Sequence, residues 1–487
     1  MATTPTFENK DDKQVVPLWI NGKNVAVGSG PLIEIIKPSE DKTVHYARSA
    51  SVDDAKAAIT AATEAFKTWS TTPLEHRRKL LLKVAGVLTQ KAKEIDDIQI
   101  QETSAPPQFG QNFAYAAAAT VEEIAAQITT AFEASAPRTN NDSSHVVGYR
   151  APIGPVLFIS PWNTPSYLAT RGIATALAAG CTVVLKASEL CPATYHLICQ
   201  VFSEAGIPEG VLNQIVVRRE DAATVTEAII ADPRIRKVEF IGSAAVGKVI
   251  GQLCGKYLKP ILMELGGKCP VIICEDADLA KAAKAAAFGA FLHHGQICMS
   301  TERIIVVKSV AEEFTNLLKT EVAGWTQMPS FAASKEFASK AHLALEEARK
   351  EGAEFIIGDN SFRDEHKTSL TPTIVKGVSP NSRLYDEETF GPSSSLYVVD
   401  NEEAGLELAN SSKYGLVGGV WTKDVMRGIA LCKRLECGVV TVNQGTMLTE
   451  IPPSASAGAA KGSGWGLSGG AEGIREFLHL KGIIITA

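Results

Sequence analysis

From Pro155 onward, short unbroken apolar runs alternate with helical stretches, and this rhythm most tightly constrains what the chain can become. Val156-Leu157-Phe158-Ile159 precedes helical spacing over 167–179. Thr182-Val183-Val184-Leu185 precedes a helix over 192–205, and Asn213-Gln214-Ile215-Val216-Val217 a helix over 222–231. Lys237-Val238-Glu239-Phe240-Ile241 closes the series. Strands apolar on both faces must be covered on both faces, and parallel neighbours need a crossover helix between them. The pattern predicts a parallel α/β sheet with helices on both sides. It restarts after residue 265, with strands Pro270-Val271-Ile272-Ile273 and Arg303-Ile304-Ile305-Val306-Val307 and helices over 279–292 and 310–320. A second α/β unit therefore begins near Leu265.

Upstream, apolar residues at three-to-four spacing predict helices over 52–64, 73–103 and 114–134. A polar excursion follows at 135–144. The chain-end stretch 479–486 reads as a strand with no evident neighbour. A chain of 487 residues exceeds what one core organises, so two or three domains are expected.

Charge and composition exclude several function classes. The net charge is -6 and there is no basic stripe, which argues against nucleic acid as the main partner. The first residues are polar and lack an apolar signal core. The longest apolar stretch, 172–185, is short and carries Thr and Gly, so no membrane span is expected. Nine cysteines, an odd number, form no Cys-x-x-Cys pair and no zinc spacing with histidine. Free thiols in a reducing, cytoplasmic compartment and no metal site are expected.

Several short segments carry chemistry. Gly295-Gln296-Ile297-Cys298 places a cysteine on a Gly-flanked segment, which suits an exposed nucleophile. Met263-Glu264-Leu265-Gly266-Gly267-Lys268 places a glutamate before a Gly-Gly turn, which suits a mobile general base. Ser160-Pro161-Trp162-Asn163 holds an amide at a strand end, fit for an oxyanion or for capping the next helix. The common dinucleotide fingerprint Gly-x-Gly-x-x-Gly is absent from the strand–helix turns of the first α/β unit. Instead, Phe240-Ile241-Gly242-Ser243-Ala244-Ala245-Val246-Gly247-Lys248 follows a strand and opens a helix, where a pyrophosphate or a plain tight turn fits equally. Lys186-Ala187-Ser188-Glu189 stands at another strand end. There a lysine can bind ribose or phosphate, and a carboxylate can accept from a ribose hydroxyl and repel a 2′-phosphate.

These segments, with Glu387-Glu388-Thr389-Phe390-Gly391-Pro392 and Val440-Thr441-Val442-Asn443, occur in the order and spacing of the NAD(P)-dependent aldehyde dehydrogenase superfamily, which the chain resembles from about Trp19 to Lys481. Gln296 to Val306 and Arg171 are more like the branch that oxidises aromatic aldehydes such as salicylaldehyde, benzaldehyde and vanillin. The resemblance implies a Rossmann-type cofactor domain over 1–134 and 156–264, a second α/β catalytic domain over 265–473, and a small oligomerisation element over 135–155 and 474–487. It implies Cys298 as nucleophile, Glu264 as the base that hydrolyses a Cys298 thioester, and Asn163 as oxyanion donor. Cofactor contacts would come from Ile159, Trp162, Lys186, Glu189, Gly242, Ser243, Gly247, Leu265, Gly266, Glu388 and Phe390. The cofactor would be NAD, with NADP possible. Tunnel residues would be Phe109, Phe113, Thr164, Leu168, Arg171, Ile297, Met299 and Met447. A guanidinium at Arg171 could hold a hydroxylated or anionic aldehyde, or form an ion pair between domains. His293 and His294 are expected to be structural. The expected partners are a small aldehyde and further copies of the chain, as a dimer or tetramer. A CoA-acylating enzyme is the first alternative, disfavoured by Glu264. A cofactor-independent thiol esterase or non-catalytic relative is the second. The family's usual Pro-Phe-Gly-Gly and the arginine after it are missing: 452–467 reads PPSASAGAAKGSGWGL, with Leu467 in the arginine's place. A reshaped or more mobile tunnel mouth is expected there.

Overall fold

The computed structural model describes residues 7–26, 30–140, 143–447 and 456–486. Two sheets dominate. The first has eight strands in the order Gly464–Trp465, Ile261–Glu264, Lys237–Ile241, Val156–Ile159, Val183–Ala187, Leu212–Val216, Leu18–Ile20, Lys23–Val25. The five strands from Ile261–Glu264 to Leu212–Val216 run parallel. The chain builds outward from Val156–Ile159 in one direction, then returns to its other side with Lys237–Ile241. That reversal opens a crevice at the carboxyl ends of the two central strands, where such sheets bind ligands.

Residue alternation sorts this sheet's side chains to two cores. Val156, Phe158, Val183 and Leu185 join the helices Pro165–Ala179, Pro192–Glu204, Phe113–Ala131 and Leu74–Gln90. Leu157, Val184, Ile215, Val238 and Phe240 join Val52–Trp69, Ala222–Ala231 and Ala244–Lys256. Pro165 and Pro192 open their helices at the first turn, where a missing N–H costs nothing. The second sheet has seven strands, in the order Glu354–Ile357, Thr373–Lys376, Ser393–Val399, Thr301–Val307, Cys269–Ile273, Val417–Trp421, Val439–Val442. Only Glu354–Ile357 pairs antiparallel. Among the described residues no helix is long and apolar enough to cross a membrane.

Several elements differ from the sequence reading. The stretch 73–103 is two helices, Leu74–Gln90 and Ala92–Thr103, broken at Lys91 (φ -101°, ψ 10°). The buried stripe Val84, Leu88, Ala92, Ile95, Ile98 continues across the break, so apolar spacing alone hides it. The helix 52–64 extends to Trp69, and the one at 310–320 is Ala311–Gln327. The N-terminal strands Glu8–Lys10, Lys13–Val16, Leu32–Lys37 and Lys42–Arg48 form a separate four-stranded sheet that the pattern did not announce. The stretch 479–486 does have a neighbour: Leu478–Thr486 pairs antiparallel with Ser144–Pro152 along its whole length. Gly464–Trp465, assigned by sequence to the 265–473 unit, bonds to Ile261–Glu264 in the first sheet. Both pairings join segments hundreds of residues apart, beyond the reach of local pattern.

Candidate active site

The carboxyl ends of the first sheet's strands converge on one chamber of about 1860 Å³, which the second sheet closes from the far side. Ligand pockets commonly enclose roughly 300–1,000 Å³, so this chamber has room for a large ligand and a small one together. Ile159, Trp162, Asn163, Lys186, Glu189, Gly242, Ser243, Glu264, Leu265 and Gly266 line it from the first sheet. Cys298, Glu388 and Phe390 line it from the second. Gly247 does not. A Cβ there would lie 2.6 Å from Leu265 Cδ2, so this glycine lets its helix pack against Leu265.

The segment before Cys298 is held at nearly every residue. The helix Leu279–Phe291 ends in a turn where His293, His294 and Gly295 are all left-handed, with φ of 49°, 59° and 71°. A Cβ on Gly295 would fall 2.0 Å from the Gly391 carbonyl, so only glycine fits. The Gln296 amide donates to the carbonyls of His293 and Phe331 and accepts from Ala333 N–H at 2.8 Å. The Gln296 carbonyl accepts from Asn163 Nδ2 at 3.1 Å. Asn163 Oδ1 is buried without a partner. Asn163 is therefore tied to the segment that carries Cys298. Burial pushes the half-buried Cys298 thiol up to about 12. Glu388 and Glu264 push the same way, and Arg171 opposes them.

The Gly-Gly turn admits two close approaches. A Cβ on Gly266 would lie 2.1 Å from Glu388 Oε2, and one on Gly267 would lie 3.0 Å from the Cys298 carbonyl. Gly267 N–H donates to Glu388 at 3.3 Å. Burial, then Glu302, raises the Glu388 carboxyl to about 8. Beneath this turn the buried Lys268 pairs with Glu302, whose carboxylate also accepts from the N–H groups of Thr389 (2.9 Å) and Phe390 (3.4 Å). One buried ion pair thus ties the Gly-Gly turn to the loop carrying Glu388 and Phe390.

Glu264, the last residue of its strand, is bound differently. Arg171 Nη2 donates to both of its carboxylate oxygens at 2.7 Å, and the Ser468 hydroxyl donates to Oε1. Burial works against the Arg171 charge, yet Glu264 holds its pKa above the ordinary arginine value. Arg171 lines the chamber, but its guanidinium is committed to Glu264 rather than open to a ligand.

Phe109, Phe113, Thr164, Leu168, Ile297, Met299 and Met447 all line the chamber. Phe109 and Phe113 meet edge to face at 4.6 Å and share an apolar cluster with Ile297, Met299 and Met447. Leu168 belongs to the neighbouring core. The loop bearing both phenylalanines is stapled in place. Asp96 accepts from Asn112 N–H, Gln99 donates to the Gly110 carbonyl, and Ser166 donates to Gln99. His293 stacks on Phe109 at 4.4 Å. Burial lowers both His293 and His294 to about 3, so both are neutral.

Sequence reading missed Gln296, Glu302, Ser468 and Phe337, whose ring stacks on Trp162 at 4.9 Å. Glu302 alone left a local signal, an acid beside Arg303 at the start of a strand that is apolar from Ile304 onward. Of the atypical 452–467 stretch, 452–455 lie outside the described residues. The rest folds into short antiparallel pairs, including Ala457–Gly458 with Leu467–Ser468, and these bring Ser468 to Glu264.

A thiol and a carboxylate thus face one chamber at the switch point of a doubly wound sheet. The chain belongs to the aldehyde dehydrogenase family, whose model matches residues 25–483. It is 39% identical to a vanillin dehydrogenase of Pseudomonas fluorescens, over 96% of this chain and 98% of that one. It is 32% identical to an NAD(+) benzaldehyde dehydrogenase of Pseudomonas putida, over 95% of each. Among solved structures, a salicylaldehyde dehydrogenase from Pseudomonas putida G7 complexed with salicylaldehyde matches with a TM-score of 0.92 and 34% identity, covering 97% of this chain and 98% of that one.

Proposed function

We propose that this enzyme oxidises an aromatic aldehyde to its carboxylic acid with NAD, through a thioester on Cys298. The observation that carries this reading is one chamber holding both Cys298 and Glu264 beside an apolar, aromatic-lined pocket. When bound, a nicotinamide dinucleotide supplies the hydride acceptor. The residues present fit such a group. The helix Ala244–Lys256 points its N-terminus at the chamber and Ser243 caps it. Lys186 and Glu189 stand together at the next strand end, where burial lowers the lysine's pKa and Glu189 opposes that effect. Glu189 disfavours a 2′-phosphate. The wall cations Arg218 and Arg219 do not compensate, being paired with Asp221 and Glu336.

In this reading Cys298 Sγ gives its proton to solvent water and bonds to the aldehyde carbon, whose C=O π pair moves onto the oxygen. The Asn163 amide and the Cys298 N–H take the oxyanion, and Glu388 and Phe390 border the site of hydride transfer. Glu264 then removes a proton from water as that water attacks the thioester. The C–S bond breaks, freeing the acid and the Cys298 thiolate. A carboxylate in the chamber available to activate water is what sets this reading apart from transfer to CoA.

The nine free cysteines suit a reducing cytoplasm. The ribbon Ser144–Pro152 with Leu478–Thr486 exposes Leu480, Ile483, Ile484 and Ile485, which fits burial against a second copy of the chain. The 135–155 and 474–487 segments are then the oligomerisation element, between a 1–134 and 156–264 cofactor unit and a 265–473 catalytic unit.

The test is NADH formation with purified enzyme, NAD and a panel of salicylaldehyde, benzaldehyde, vanillin, cinnamaldehyde, hexanal and acetaldehyde, with Cys298→Ala as control. Turnover that prefers aromatic aldehydes and vanishes in the control is expected. A preference for hexanal or acetaldehyde would overturn the substrate class. Cys298-dependent ester hydrolysis without NADH formation would overturn the oxidation itself.

A further inference from the structure

One buried acid takes no part in the reaction described so far. Glu239 lies at the centre of Lys237–Ile241, opposite Phe158 on one side and Leu262 on the other. Its neighbours Val238 and Phe240 point into one core. Alternation sends Glu239 to the opposite face, under the helix Pro165–Ala179, where Phe158 and Val156 are its apolar counterparts. The residue is 3% exposed, and its Oε2 has no hydrogen-bond partner. An acid placed at an apolar position of a central strand is costly to keep unless it serves the charges around it.

Those charges form a row leading to the proposed base. Arg171, from the covering helix, interacts electrostatically with both Glu239 and Glu264, and Tyr167 of the same helix also faces Arg171. Glu264 comes from the adjacent strand. Lys237, on Glu239's own strand, binds the carboxylate and carbonyl of Glu476, which lies just past the helix Gly470–Arg475. The strand Val156–Ile159 contributes only apolar side chains. One guanidinium is therefore flanked by two carboxylates, hydrogen-bonded to Glu264 and unbonded to Glu239.

We propose that Glu239 is a positioning residue for thioester hydrolysis: when ionised it draws on the charge of Arg171, loosening that residue's hold on Glu264 so that the base can reach water at Cys298. A neutral Glu239 leaves Arg171 wholly to Glu264 and keeps the base parked. Burial and Glu264 raise the Glu239 carboxyl to about 7 while Arg171 and Lys237 oppose them, so the exchange falls in the working pH range. This inference rests on the assignment of Glu264 as the hydrolytic base.

The test follows the acyl adduct on Cys298 by rapid quench and intact-mass spectrometry, with NAD and benzaldehyde saturating, from acid to alkaline pH, beside steady-state NADH formation. In the parent enzyme the acylated fraction should fall as pH rises through neutrality. Glu239→Gln should match the parent at acid pH. At alkaline pH it should accumulate acyl-enzyme and turn over at least about fivefold more slowly, the scale of one partly shielded charge–charge interaction. Glu239→Asp, which keeps the charge, should restore much of the alkaline rise. Adduct formation in each variant reports that the site is folded. A Glu239→Gln enzyme with parental acylation and turnover at every pH would overturn the inference while leaving the base in place. Glu264→Gln is the second arm. Acylation without steady-state turnover supports the base, whereas unimpaired turnover would sink both the base and the role of Glu239.

Discussion

Cys298 and Glu264 face the same chamber and are held in opposite ways. The segment carrying Cys298, the proposed nucleophile, is fixed by three consecutive left-handed residues, a glycine with no room for a Cβ, and a glutamine amide bonded to three backbone groups. Each contact has one possible geometry. Glu264, the proposed base, is fixed by one cation and one hydroxyl, and that cation also interacts with a second buried carboxylate. A nucleophile must stand still while hydride leaves the carbon attached to it. A base that acts only afterwards must stay clear and then arrive. The rigid half is built from backbone, the adjustable half from side-chain charges.

The comparison breaks most completely at the sulfur. Cys298→Ala should lower aldehyde oxidation by about 10⁴-fold or more, as loss of a covalent nucleophile does elsewhere. The thermal midpoint should hardly move, because the change removes a single half-buried sulfur. Next is the buried pair beneath the Gly-Gly turn. Glu302→Gln leaves Lys268 without its anion at a fully buried site, which should cost on the order of 3–5 kcal/mol in denaturant unfolding. If the variant unfolds like the parent, Glu302 is not what joins the two loops. Third, Asn163→Ala removes both the proposed oxyanion donor and the tie to the Gln296 carbonyl. A kcat lower by about 10²–10³ with little change in KM is expected from transition-state binding. A loss confined to KM would mean that Asn163 only shapes the pocket.

The same division decides what could be read from the sequence. The parallel strands were legible because both faces are apolar, as in Val183-Val184-Leu185. The motifs were legible because each is a strand end plus its turn, a local event. Cys298, Glu264 and the Gly-Gly turn belong to that class. The short strand Ile261–Glu264 was not legible, since its 4 residues merge into the motif that follows. The side chains that govern the base were not legible either. Ser468 is 204 residues from Glu264 and Arg171 is 93 away, so their meeting is a product of the fold. Glu239 sat within a strand read as apolar, and only its surroundings give its charge a consequence.

The smallest expected effect sharpens the comparison by opposing stability to turnover. The folded-state pKa of Glu239, about 7, lies above the ordinary 4.5, so the native chain binds a proton there more tightly than the unfolded chain does. Below about 4.5 both states are protonated and the group is neutral toward folding. Between the two values the unfolded chain ionises first, and stability falls as pH rises. Above about 7 the cost is fully developed, at about 1.4 kcal/mol for each unit of separation. Glu239→Gln cannot ionise and escapes this loss. Its unfolding free energy should equal the parent's near pH 4.5 and exceed it by about 3 kcal/mol at pH 8, read from urea midpoints across that range. The variant should thus be firmest at the alkaline pH where its thioester is hydrolysed most slowly relative to the parent. A Glu239→Gln chain less stable than the parent at pH 8 would mean that Arg171 and Lys237 outweigh burial. Glu239 would then be ionised throughout, part of a fixed ion network rather than a partner that releases the base.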